Sequence, residues 1–251
     1  MEKLVFTGVF LACLCMPAFA AEDEVELKKA VKLEELKLPV EKLAHWGTRN
    51  YIYQVDQNGK VETLGTVTLR TELNKGMVFI RDSMALSWKN KQIKWELEMG
   101  CREDSLLRPM HIKSTGEGDD EFKSFSATVK DGKAEVAYTD GKHAQIDVPP
   151  DTLTDFGMFR VLTIMPREPG SVVAVGHVLE VSELNLKGPA TLTCLGKQKV
   201  TINGDEAELN CIVYERDGDR AMEAWVSDNG VLRRIRLDGR KILTEAPEAA
   251  E

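Results

Sequence analysis

The chain has 251 residues and a formal charge of -8, with acids and bases mixed along nearly every segment. That mixture excludes the clustered Lys and Arg needed to hold a nucleic-acid backbone or an anionic membrane surface. With 43% hydrophobic and 29% charged residues it reads as an ordinary globular protein, long enough to bury one sizeable core.

Residues Met1 to Ala20 read as a secretory signal peptide: Lys3 near the start, an apolar run from Leu4 to Cys15, and Ala18-Phe19-Ala20 before a cut at Ala21. The apolar run is too short for a hydrocarbon core of about 30 Å, so the expected mature chain has no transmembrane segment and is exported, periplasmic or secreted. A lipid-anchored form is the competing reading of Leu11-Ala12-Cys13, but Phe10 and Leu11 fit a lipobox poorly. Cleavage removes Cys13 and Cys15 and leaves Cys101, Cys194 and Cys211.

Residues 21–45 form an acid- and Lys-rich leader with scattered aliphatics, interrupted by Pro39, and are expected to be a partly ordered leader or linker. From Trp46 the period becomes two. Ile93, Trp95, Leu97 and Met99 alternate with Gln92, Lys94, Glu96 and Glu98, as Val67, Leu69 and Leu73 do with Thr68, Arg70 and Glu72. Turn dipeptides recur at Asn58-Gly59, Lys75-Gly76, Asp131-Gly132, Asp140-Gly141, Asn203-Gly204, Asp217-Gly218, Asn229-Gly230 and Asp238-Gly239. Such pairs supply the positive φ angles of tight hairpins, which predicts about a dozen consecutive antiparallel strands. A β domain over residues 46–245 and a disordered tail over 246–251 follow, and α/β enzyme folds are excluded.

One helix is predicted, from Leu153 to Met165, capped by Asp151-Thr152 after Pro149-Pro150 and ended by Pro166. Its apolar residues spread around the helical wheel, so it must be covered on several sides. The expected fold is mainly β: a single large curved antiparallel meander sheet, or an incompletely closed β-barrel, with this helix in its concave face. Trp95, Leu97, Met158 and Leu162 are the candidate lining of an apolar cavity there. The run Val172 to Leu186, apolar on both parities in places, then resumes the sheet.

Cys194 and Cys211 flank the Asn203-Gly204 turn and form the candidate disulfide. A two-residue loop would set Cys211 opposite Gly196 and leave Cys194 on a diagonal; a loop of Thr201 to Gly204 would set the cysteines directly opposite. Cys101 reads as a buried strand-end residue. His45, His111, His143 and His177 are isolated from one another and from cysteine pairs, so no zinc spacing is present. HExxH, GxSxG, GxxxxGK[ST] and GxGxxG are absent. No cofactor, metal or enzymatic activity is expected. Glu117 to Glu121 and Asp217-Gly218-Asp219 read as solvated turns, and Arg233, Arg234 and Arg236 as charges guarding the edge of the last strand.

The stretches Cys101 to Pro109, Asp151 to Gly170 and Trp225 to Arg233 resemble exported bacterial β-proteins of an uncharacterised domain family, over residues 46 to 245. Their architecture is similar to the lipoprotein-carrier group, in which a curved antiparallel sheet encloses helices and an apolar cavity. That resemblance implies an apolar small molecule or lipid as ligand. The alternative is a scaffold with a filled core that meets other envelope proteins through a sheet edge or the leader.

Overall fold

The computed structural model describes residues 25–88, 91–118 and 123–247. The signal segment Met1 to Ala20, residues Asp119 to Glu121 of the acidic turn and residues 248–251 of the tail lie outside the described residues. Strand β1 (Val31–Lys32) and two 3-10 turns, Leu33–Glu35 and Val40–His45, open the fold. A meander follows: β2 (Gly47–Gln57), β3 (Lys60–Asn74), β4 (Met77–Trp88), β5 (Lys91–Arg102), β6 (Pro109–Glu117), β7 (Phe125–Lys130), β8 (Lys133–Tyr138) and β9 (His143–Asp147). After β10 (Thr152–Thr154) and helix α1 (Asp155–Ile164) come β11 (Val172–Val175), β12 (His177–Glu180) and β13 (Asn185–Lys187). A second meander closes the chain: β14 (Ala190–Ile202), β15 (Asp205–Arg216), β16 (Asp219–Val226), β17 (Leu232–Leu237) and β18 (Lys241–Glu245).

The two meanders join through β18 and β2 into one 15-stranded, almost wholly antiparallel sheet with β1 and β9 at its ends, so the sheet is not closed. The mainly β class with one helix is as the sequence predicts. Strands outnumber the predicted dozen because short ones such as β1, β10, β12 and β13 carry no hairpin signal. The run from Val172 does not simply resume the sheet. Only β11 joins it, while β12 pairs with β10 and β13 in a separate three-stranded sheet.

The hairpins follow their turn chemistry. Both residues of Asn58-Gly59, Lys75-Gly76, Asp131-Gly132, Asn203-Gly204, Asp217-Gly218 and Asp238-Gly239 have positive φ. Ile202 pairs with Asp205, so the Asn203-Gly204 loop has two residues. A bulge between Cys194 and Gly196 then sets Gly196 opposite Cys211 and Cys194 opposite Ile212. Paired residues share a face, so Cys194 and Cys211 point to opposite faces of the sheet. This corrects the proposed disulfide: both thiols are free and buried, as is that of Cys101.

The helix starts later than its sequence suggests. Thr152 and Leu153 are extended because they pair in parallel with His177 and Val178. Thr154 is therefore the cap, its hydroxyl accepting from the Gly157 amide at 2.9 Å. Every residue from Gly157 to Ile164 is buried, so the helix is covered all round. The stretch read as a leader adds Leu33, Val40 and Leu43 to the same core. No helix among the described residues is long and apolar enough to cross a membrane.

Candidate functional site

The four residues proposed to line a cavity do come together, but as packing. Trp95, Leu97, Met158 and Leu162 are at most 3% exposed and belong to one continuous core. The Trp95 ring lies 4.8 Å from that of Phe156, and its N–H donates to the Ser114 hydroxyl at 3.0 Å. The interior that an apolar ligand would enter is thus occupied by α1 and the side chains facing it.

The residue missed by sequence reading is Arg160, the charged member of the buried stretch of α1. Its side chain is fully buried against an equally buried Asp82 on β4. Nη1 donates to Asp82 Oδ2 at 2.8 Å and to the Phe156 carbonyl at 3.2 Å. Nη2 donates to Asp82 Oδ1 at 2.5 Å and to the Arg70 carbonyl at 3.1 Å, and Nε to Thr71 Oγ1 at 2.9 Å. All five guanidinium N–H bonds are used. Burial pushes the Asp82 carboxyl up while Arg160 pulls it back down. Burial likewise raises the Cys101 thiol and the Tyr51 phenol, whose hydroxyl donates to the Leu232 carbonyl at 2.8 Å. A neutral, buried thiol is a poor nucleophile, and the Arg160–Asp82 pair ties the helix to β4.

Among the clefts that the described residues form, two lie beside the filled interior. One, of about 430 Å³, lies under β1 and β11, with Leu33, Leu106, Val175 and Ala190 among its walls and Asp151 at its rim. Asp151 Oδ1 is 2.8 Å from His177 Nδ1.

The second cleft, of about 510 Å³, sits at the C-terminal end of α1. It is assembled from the second 3-10 turn, the helix exit and the turn between β16 and β17, which falls in the Trp225 to Arg233 stretch. Lys42, His45, Trp46, Arg49, Arg167 and Asp228 border it. Arg167 Nη1 donates to the Asp228 carbonyl at 2.8 Å and Nη2 to the Thr163 carbonyl. Gly230 lets the turn approach the helix: its φ is +86, and a Cβ there would stand 2.9 Å from the Thr163 carbonyl oxygen.

The arginines of β17 do not guard a sheet edge. That strand lies between β16 and β18 and is no edge, because β18 continues the sheet onto β2. Arg233 pairs with Glu245 at 2.6 Å and Arg236 with Glu223 at 3.2 Å, while Arg234 and Arg236 each lie 5.7 Å from the Trp225 ring centre. Among the histidines, the His111 ring fills the space above Gly100, and His45 and His143 are exposed. Among the described residues, no three His, Cys, Asp or Glu side chains gather as a metal site.

No family model matches the chain, and no curated protein sequence matches it. It is similar to the crystal structure of a beta-barrel-like protein of the domain of unknown function DUF1849 from Brucella abortus. The identity is 14% and the TM-score 0.49, over 79% of this chain and 94% of that one.

Proposed function

We propose that the chain is an exported, non-enzymatic interaction module of the cell envelope that works through its surface and encloses no ligand. The carrying observation is the filled interior: α1 is buried from Gly157 to Ile164, and Arg160 ties it to Asp82, Thr71 and the Arg70 carbonyl with four of its five N–H bonds. A lipid carrier of the kind suggested by the lipoprotein-carrier resemblance needs that volume empty. Strand β9 supports the surface reading, since it ends the sheet with His143, Ala144 and Gln145 exposed. Export rests on the Met1 to Ala20 segment.

A second reading keeps an apolar ligand but moves it to the cleft under β1 and β11, whose Leu33, Leu106, Val175 and Ala190 walls are apolar. Native mass spectrometry of protein purified without detergent separates the two. The interaction module gives one apo mass and does not compete for an apolar fluorescent probe. A co-purifying acyl-chain mass, or a displaced probe, overturns it in favour of the carrier. N-terminal sequencing of the exported protein tests the address, with Ala21 expected as the first residue.

A further inference from the structure

We propose that the cleft at the C-terminal end of α1 binds an oxyanion, a carboxylate or phosphate group carried by a polar ligand. The local charge runs against the whole molecule. In a chain of net charge -8, this cleft is bordered by Lys42, Arg49, Arg167 and His45, with Asp228 as its acid. That acid is already engaged: its carboxylate takes Lys197 Nζ at 2.9 Å and Asn210 Nδ2 at 3.0 Å. Arg49 has Glu245 at 3.3 Å, but Glu245 also serves Arg233 at 2.6 Å.

Arg167 is the central observation. Its guanidinium is held by two backbone carbonyls, and among the described residues no carboxylate lies within ion-pair distance of it. Its Nε is buried and has no acceptor among the described residues. Trp46, 8% exposed in the cleft wall, likewise keeps a buried Nε1 with no acceptor among the described residues. Buried N–H groups are normally paired, so two orphan donors on one cleft point to a missing acceptor. Burial pushes the Arg167 pKa down and the nearby Asp228 carboxylate offsets part of that; an arriving anion offsets more.

The helix itself opposes the anion, because its C-terminal end carries partial negative charge. Arg167 caps the Thr163 carbonyl and so covers part of that charge. The Arg160 guanidinium, 5.2 Å from the Trp46 ring centre, backs the wall, although Asp82 neutralises it. Recognition therefore depends on Arg167 and Trp46, with Lys42 and Arg49 drawing the anion in.

The test is a titration of the ¹⁵N-labelled mature protein at low salt with inorganic phosphate and, separately, with succinate. The Trp46 indole N–H signal is identified by its loss in Trp46→Phe. Saturable movement of that signal is expected with phosphate, with succinate or with both, and the stronger arm names the oxyanion; chloride at equal ionic strength should leave it in place. Arg167→Gln should weaken binding about tenfold or more, since it removes a charge-assisted hydrogen bond. Lys42→Gln, on an exposed side chain that the fold does not need, should weaken it a few-fold and keeps the test open if Arg167→Gln unfolds. The proposal fails if neither anion moves the Trp46 signal saturably, if chloride moves it equally, if a folded Arg167→Gln binds as the parent does, or, where that variant unfolds, if Lys42→Gln binds as the parent does.

Discussion

Arg160 on α1 and Asp82 on β4 form a bidentate ion pair across 78 positions of sequence, with both side chains fully buried. Removing one partner strands a charge in the core, so Asp82→Ala is expected to cost about 3–5 kcal/mol in urea unfolding. Replacing both, as Asp82→Leu with Arg160→Met, should cost clearly less than the sum of the single changes. Strict additivity would show that the pair does not act as one unit.

Asp155 gives the fold a pH dependence of definite sign. Burial raises its carboxyl from 3.8 to about 7, against the lowering effect of the Val181 and Phe156 amides that it accepts. The folded state then binds this proton more tightly than the unfolded state. Stability from this group is present at acid pH and falls as pH rises through the window from about 4 to about 7. Asp155→Asn should remove that fall. A parent-minus-variant difference in urea midpoint that stays flat across the window would refute the assignment.

The thiols offer a chemical check. Cys101, Cys194 and Cys211 are free and buried, and burial raises the thiols of Cys101 and Cys194. Ellman's reagent should find almost no fast-reacting thiol in the folded mature protein and three after unfolding without reductant. One thiol released there, rising to three after reduction, would mean a bridge and contradict the strand register.

Gly170 governs how the segment before β1 lies along β11. Its φ is +78, its carbonyl accepts from Lys28 at 2.8 Å, and an added Cβ would stand 2.1 Å from the Glu26 carbonyl oxygen. Gly170→Ala should cost about 1–3 kcal/mol from backbone strain alone. It should also loosen residues 26–32, so that trypsin cuts at Lys28, Lys29 and Lys32 faster than in the parent. Unchanged cleavage would mean that Gly170 does not hold this segment.

The cap is a smaller test. Thr154→Ala should lose about 1 kcal/mol, because the Gly157 amide then lacks its acceptor in a buried place. The same change at Thr152, whose hydroxyl has no partner among the described residues, should cost less.

Much of the architecture was legible because its causes are local. Alternation along β5 put Trp95, Leu97 and Met99 on the buried face, and dipeptides such as Asn58-Gly59 and Asn203-Gly204 set two-residue hairpins through positive φ. The all-round apolar surface of α1 required that it be enclosed, and it is. What depended on distant partners was not legible. The hidden cation at Arg160 needed Asp82 to make sense of it, and the helix start shifted because β12 claimed Thr152 and Leu153. One bulged residue between Cys194 and Gly196 decided which face each cysteine meets. The cleft holding Trp46 and Arg167 joins three segments that only the folded sheet and its helix bring together. Local sequence determines turns and faces because φ preference and side-chain period act over a few residues; pairing, register and charge neutralisation act across the fold, so tertiary structure decided them.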